Sequence, residues 1–263
     1  MKVTLITGAS GGIGEAFARR LAGEHHNLLL IARSESKLKE LCEDLAKRHK
    51  IEAQYIAIDL ALPNADQYIF DETQKRNLQV EWLINNAGVG SGGDFIRLDL
   101  PSEFKMIQLN ISTLVGLTQR YLNIMREENA GTIINVGSVA SFTPTPFQAT
   151  YAASKAFVRS FTEALVAENI PFNIRIMLLC PGLTESNFFE NGRMSEADKK
   201  TLSHGFAFQS PSAVVDEALS GLSKVKTKVI SGFRNRLLVF ACYFLPNSLL
   251  TKLGAKGFRS NFQ

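Results

Sequence analysis

The chain has 263 residues, enough for one substantial core, and its 45% hydrophobic and 21% charged residues exclude a disordered or collagen-like polymer. Three cysteines, Cys42, Cys180 and Cys242, are odd in number and outside any C-x-x-C spacing, and His25, His26, His49 and His204 show no H-E-x-x-H spacing, so neither a disulfide frame nor a metal site is expected. The net charge of +4 is uneven: eight Lys/Arg and no Asp or Glu lie from Lys224 to the end, leaving 21 basic against 25 acidic residues before it.

The start, Met-Lys-Val-Thr-Leu-Ile-Thr-Gly, runs straight into an apolar strand over 2–7 with no leader ahead of it, which predicts a cytoplasmic protein. A Gly-rich turn then opens a helix from residue 13 to about 23, and 27–32 is a short Leu/Ile run of the kind a strand buried on both faces requires. Helix 35–49, strand 51–58, helix 64–77 and strand 81–85 continue an alternation that implies parallel strands joined by crossover helices. A helical region from Pro101 to about residue 127 is expected to break near Asn110, followed by a strand over 132–137 and a helix over 150–168. Strand 172–179 stops at Cys180-Pro181-Gly182, because proline cannot continue a ladder. Residues 183–210 lose the alternation and read as a long functional loop; helix 212–222, strand 228–230 and an apolar tail over 237–253, interrupted by Pro246, complete the chain.

Gly8, Ser10, Gly12, Ile13 and Gly14 fall between the first strand and the first helix. Glycines there allow a tight turn and close backbone approach, and the helix N-terminus presents N–H groups to a pyrophosphate, so this turn is a candidate dinucleotide site. The second strand ends at Ala32-Arg33-Ser34, where an NAD site ordinarily carries an acidic residue for the ribose 2′-hydroxyl. An arginine pairs instead with a 2′-phosphate, so NADP(H) is the expected cofactor, with Arg33 and Ser34 at that phosphate and NAD less favoured.

Tyr151 and Lys155 stand at i and i+4, on one face of the helix over 150–168. An ammonium beside a phenol lowers its pKa by about 1–3 units and suits it to exchange a proton with a substrate oxygen. Ser138 follows the strand over 132–137 at the carboxyl edge of the sheet, where ligands gather, and its hydroxyl can donate to an oxygen that becomes alkoxide-like. Asn110, at the helix break, is placed to hold a water between Lys155 and solvent.

Taken together, Thr7-Gly-x-x-x-Gly12-x-Gly14, Asn85-Asn86-Ala87-Gly88, Asn110, Ser138, Tyr151-x-x-x-Lys155 and Pro181-Gly182 resemble the short-chain dehydrogenase/reductase family over residues 1 to about 190. The resemblance implies an α/β fold: a single-domain Rossmann fold over 1–263, with a doubly wound seven-stranded parallel sheet in the order 3-2-1-4-5-6-7 and helices on both faces. It implies a catalytic set of Asn110, Ser138, Tyr151 and Lys155, and hydride transfer at the nicotinamide C4. It also implies that Asp59 and Leu60 contact adenine and that Asn86, Ala87 and Gly88 line the cofactor. Lys155 would hold the nicotinamide ribose, and Pro181, Gly182, Leu183 and Thr184 would meet the nicotinamide, Thr184 and Ser186 being alternative hydroxyls for its carboxamide. A homodimer or homotetramer is implied as well.

Phe188, Phe189, Phe206 and Phe208 sit in or beside the 183–210 loop. Aromatics in a lid fit a lipophilic substrate, with Phe188 and Phe189 against it, and fit equally the packing of the insertion on the core. The tail over 233–263 is basic and amphipathic, too short and interrupted to span a bilayer, and open to three fates: docking on the core, on a second subunit or on a membrane surface. The leading expectation is an NADP(H)-dependent carbonyl reductase or alcohol dehydrogenase acting on a medium-to-large apolar substrate, with no nucleic-acid partner. Two alternatives stand beside it: a nucleotide-sensing or scaffold protein without turnover, and a peripheral membrane protein acting through its tail.

Overall fold

The computed structural model describes residues 1–185 and 208–259. Seven strands, β1 (Lys2–Thr7), β2 (Leu28–Ala32), β3 (Ala53–Ala57), β4 (Gln79–Asn85), β5 (Gly131–Val136), β6 (Ile174–Cys180) and β7 (Lys228–Ile230), form one sheet in the order β3-β2-β1-β4-β5-β6-β7, parallel throughout. The helices are α1 (Gly12–Gly23), α2 (Glu35–His49), α3 (Ala65–Lys75), α4 (Leu100–Ile107), α5 (Leu114–Glu127), α6 (Ala149–Glu168), α7 (Pro211–Ser223), α8 (Phe233–Phe244) and α9 (Asn247–Arg259).

Consecutive strand residues point to opposite faces, and both faces are covered. On β2, Leu28 and Leu30 join Phe17 and Leu21 of α1, Leu38 and Leu45 of α2, and Val214 and Ala218 of α7. Leu29 and Ile31 turn the other way, to Ile69 of α3 and Leu117 and Tyr121 of α5. Each such fully buried aliphatic side chain contributes about 1.5–3 kcal/mol, which explains why β2 tolerates an unbroken Leu/Ile run. The expected strand order is the observed one, and so is the alternation of strands and helices.

The break near Asn110 is a π-helical turn, Gln108–Thr113, inserted between α4 and α5. The apolar tail divides into α8 and α9 with Pro246 between them, and Val239 of α8 is buried with Phe142, Val158 and Leu178. Among the described residues, no helix is long and apolar enough to cross a membrane. Phe188 and Phe189, expected at the substrate, and Phe206 of the same loop lie outside the described residues, whereas Phe208 is partly exposed.

Candidate active site

The carboxyl ends of the strands open on a cavity of about 1810 Å³. Pockets for drug-sized ligands are ordinarily about 300–1,000 Å³, so this one has room for a dinucleotide and a second molecule. Its wall brings together Gly8, Ser10, Gly12 and Ile13 of the first turn, Arg33 and Ser34 after β2, Asp59 and Leu60 after β3, and Asn86, Ala87 and Gly88 after β4. Ser138, Tyr151, Lys155, Pro181, Gly182, Leu183 and Thr184 complete the expected residues on it. Gly14 and Asn110 are not on the cavity wall.

The first turn is built for close approach. Gly8 and Gly12 have φ of +67° and +56°, a region that favours glycine. A side chain on Gly14 would stand 2.2 Å from Gly8 O, so only glycine lets α1 pack this closely on the turn. Gly11, which precedes α1, supplies no side-chain cap and has open space where a Cβ would be. The first-turn N–H groups therefore meet the cavity as an anion-binding end, which fits a pyrophosphate. Thr7 locks this turn to β4: its Oγ1 accepts from Asn86 N and Ala87 N at 2.9 Å each, while Asn86 Nδ2 donates to Thr7 O at 2.9 Å.

Asp59 accepts from Ala61 N at 3.0 Å through Oδ1, and Leu60 is held by Thr113 Oγ1, which donates to its carbonyl at 2.7 Å. Arg33 is exposed at the cavity rim, and Lys37, one helical turn along, lines the same region as a second cation. Lys37 was legible in the sequence as the i+4 neighbour of Arg33 but carries no motif of its own.

At the other end, Ser138 N donates to Ser141 Oγ and Ala140 N to Ser138 Oγ, both at 3.1 Å, a reciprocal cap that fixes the serine on a short 3-10 turn. Buried Lys155 donates from Nζ to Val136 O at 2.9 Å, at the end of β5. Asn110 is fully engaged: Oδ1 accepts from Val89 N at 3.1 Å, and Nδ2 donates to Val89 O and Ser154 Oγ, each at 3.0 Å. Its side chain thus fixes the loop after β4 to α6. A Cβ on Gly88 would meet Asn110 Oδ1 at 3.2 Å and Lys155 Nζ at 3.3 Å, which shows how closely these three residues gather.

The expected lowering of the Tyr151 pKa by Lys155 is not what the protein alone displays. Burial pushes the Tyr151 phenol up to about 12, against the pull of a side-chain hydrogen bond from Ser138, and burial pushes the Lys155 ammonium down to about 8. Losing hydration disfavours both charged forms, and burial is the largest influence on each group. Near neutral pH the site therefore holds a protonated phenol hydrogen-bonded to Ser138 and a charged lysine on the same cavity wall, a proton-donating arrangement.

The remaining wall was not marked by motifs. Val139, Pro144 and Pro146 line it beside Tyr151, and Asn235, Leu238 and Cys242 of α8 with Leu250 and Gly254 of α9 close it from the C-terminal side. Their signal was only the spacing i, i+3, i+7 on one helix and i, i+4 on the next. Among the described residues no cluster of three metal-ligating side chains occurs.

Residues 2–197 match the family model described as short chain dehydrogenase. The chain belongs to the short-chain dehydrogenase family. It is 33% identical to a 7beta-hydroxysteroid dehydrogenase of Mediterraneibacter gnavus over 239 residues, 89% of this chain and 88% of that one. It superposes with a TM-score of 0.80 on a short-chain dehydrogenase from Sphingobium yanoikuyae solved in complex with NADPH, at 27% identity over 88% and 87% of the two chains. A bulky-bulky ketone specific alcohol dehydrogenase from Comamonas testosteroni superposes with a TM-score of 0.77 at 26% identity, covering 100% of this chain and 95% of that one. As a short-chain dehydrogenase the protein is an oxidoreductase using a nicotinamide dinucleotide.

Proposed function

We propose that the protein is a cytoplasmic NADP(H)-dependent carbonyl reductase or alcohol dehydrogenase for a medium-to-large apolar substrate. The observation that carries this reading is that Ser138, Tyr151 and Lys155 share one continuous cavity with the uncapped end of α1 and with Arg33. Gly8, Ser10, Gly12 and Ile13 would hold the pyrophosphate, Asp59 and Leu60 the adenine, and Asn86, Ala87 and Gly88 the middle of the cofactor. Pro181, Gly182, Leu183 and Thr184 would flank the nicotinamide, and Lys155 its ribose. Arg33, Ser34 and Lys37 favour a 2′-phosphate over a free hydroxyl, since β2 ends in Ala32 and is followed by Arg33, where an NAD site ordinarily carries a carboxylate.

The bound cofactor supplies the hydride. Tyr151 gives its phenolic proton to the substrate oxygen in reduction and takes it back in oxidation. Ser138 donates a hydrogen bond to that oxygen as negative charge develops on it. Lys155 keeps positive charge at the site, and Asn110 positions the loop after β4, whose Gly88 packs close to Lys155. The apolar wall of Val139, Pro144, Pro146, Leu238 and Leu250 supports a lipophilic substrate. Exposed Leu100, Phe104 and Phe157 on α4 and α6 support assembly with a second copy, as a homodimer or homotetramer.

Oxidation of NADPH against a panel of aldehydes, bulky ketones and steroid or acyl ketones tests the reading. Tyr151→Phe should lower turnover by about 10²–10⁴-fold while leaving NADPH affinity within about threefold, because one general-acid proton is removed and little volume changes. Turnover independent of Tyr151 across the panel would refute it.

A further inference from the structure

Helices α8 and α9 have two faces of different character. One face closes the site cavity through Leu238, Cys242 and Leu250, and Tyr243 anchors it by packing edge-on against Phe142 with ring centroids 6.1 Å apart. The opposite face of α8 carries Phe233, Leu237, Phe240 and Phe244 at i, i+4, i+7 and i+11, exposed by 68, 54, 61 and 72%. Leu249 and Leu253 are exposed on α9 as well. Arg234, Lys252 and Lys256 stand exposed on the same two helices, and no Asp or Glu follows Glu217 anywhere in the sequence.

An apolar stripe of this extent on a stable helix marks an interface, and its charge decides what covers it. A second copy related by a two-fold axis would set the same cations against themselves. A surface with anionic headgroups above an acyl layer offers the cations a partner and the phenylalanines a solvent at once. Neither helix is long enough to cross, so the pair would lie along the surface.

We propose that the outer face of α8 and α9 docks on an anionic lipid bilayer, so that a membrane-dissolved apolar carbonyl or alcohol reaches Tyr151 past Leu238 and Leu250 without passing through bulk water. The delivery half of this inference rests on the reductase reading above; the docking half does not. The same two helices are then the membrane contact and the substrate wall, which ties surface binding to access.

Flotation of the full chain with vesicles of equal parts phosphatidylglycerol and phosphatidylcholine, against phosphatidylcholine alone, tests the docking. Binding is expected only to the anionic vesicles and weakens with added salt. The triple variant Arg234→Gln/Lys252→Gln/Lys256→Gln, whose three residues do not line the cavity, should bind them roughly 100-fold more weakly. Its turnover of a short water-soluble ketone should equal that of the wild type, whereas the gain in turnover that anionic vesicles give the wild type on a vesicle-dissolved bulky ketone should disappear. No flotation, equal flotation with both vesicle types, or full binding by the triple variant would overturn the docking. A dimer that Phe240→Ser/Phe244→Ser dissociates, seen by sedimentation equilibrium, would assign the face to a second copy and overturn it too. Flotation without turnover of any ketone would remove delivery, and with it the reductase reading, while leaving the docking intact.

Discussion

Gly14 and Gly11 lie three residues apart in the first turn and should respond oppositely to the same added methyl group. In Gly14→Ala the new Cβ would come within 2.2 Å of Gly8 O and 2.6 Å of Asn86 Nδ2. A carbon–oxygen contact needs about 3.3 Å, so α1 must retreat from the β1 turn by about 1 Å. Overpacking costs about 1–3 kcal/mol, here towards the upper end because a backbone carbonyl is the obstacle, and the better helix propensity of alanine returns about 1 kcal/mol. The net loss of about 2 kcal/mol predicts a Tm about 4–8 °C lower in a domain of this size. In Gly11→Ala the methyl meets no protein atom within 4 Å, so stability should change by less than about 1 kcal/mol, the capping preference of glycine over alanine. Because Gly11 lines the cavity where a phosphate would rest, NADPH affinity should nevertheless fall by at least about tenfold. Thermal melts with and without NADPH, and NADPH titrations by fluorescence, separate the two effects. Equal loss of stability in both variants, or unchanged NADPH affinity in Gly11→Ala, would refute this account of the turn.

Arg33→Ala should lower the preference for NADPH over NADH by about 10- to 100-fold, the worth of a charge-assisted phosphate contact of about 1.5–3 kcal/mol; an unchanged ratio of affinities would remove Arg33 from the 2′-phosphate. The Lys155 pKa of about 8 places a limb in the pH profile. Below it the ammonium is charged and supports proton donation by the neutral phenol; above it the charge is lost, so kcat/KM for ketone reduction should fall as pH rises through about 8. A profile flat through that region contradicts the assignment. Glu217 accepts from Gly232 N at 3.0 Å and Gln209 Nε2 at 2.9 Å, joining the segment before α7 to the start of α8. Glu217→Ala leaves these donors without their acceptor and should cost about 1–3 kcal/mol in denaturant titrations, with faster amide exchange in α8 than in α2.

The parts of this protein set by local chemistry were readable along the chain. The Leu/Ile run of β2 can be satisfied only between two helical layers, and Gly8, Gly12 and Gly14 stand where a strand turns into a helix, so sheet, crossover and nucleotide turn follow from neighbours in sequence. The i, i+4 spacing of Tyr151 and Lys155 placed both on one helical face for the same reason. Strand ends were less legible: β3 begins at Ala53 rather than at Ile51, because pairing with β2 starts at Leu28, which is a property of the partner strand.

What the sequence alone determined about this protein is therefore its family and, by resemblance, its strand order, together with candidate residues that the fold gathers on one cavity. Only the tertiary structure decided how those residues behave. Burial, which no spacing reveals, raises Tyr151 and lowers Lys155 where proximity alone suggested the phenol would fall. Asn110 is also a clasp on Val89 and Ser154, a role no motif announces because its partners arrive from a loop 21 residues and a helix 44 residues away. The tail, ambiguous as a string of apolar and basic residues, became two helices with one face on the cavity and the other outward, since which side of a helix is covered depends on what packs against it.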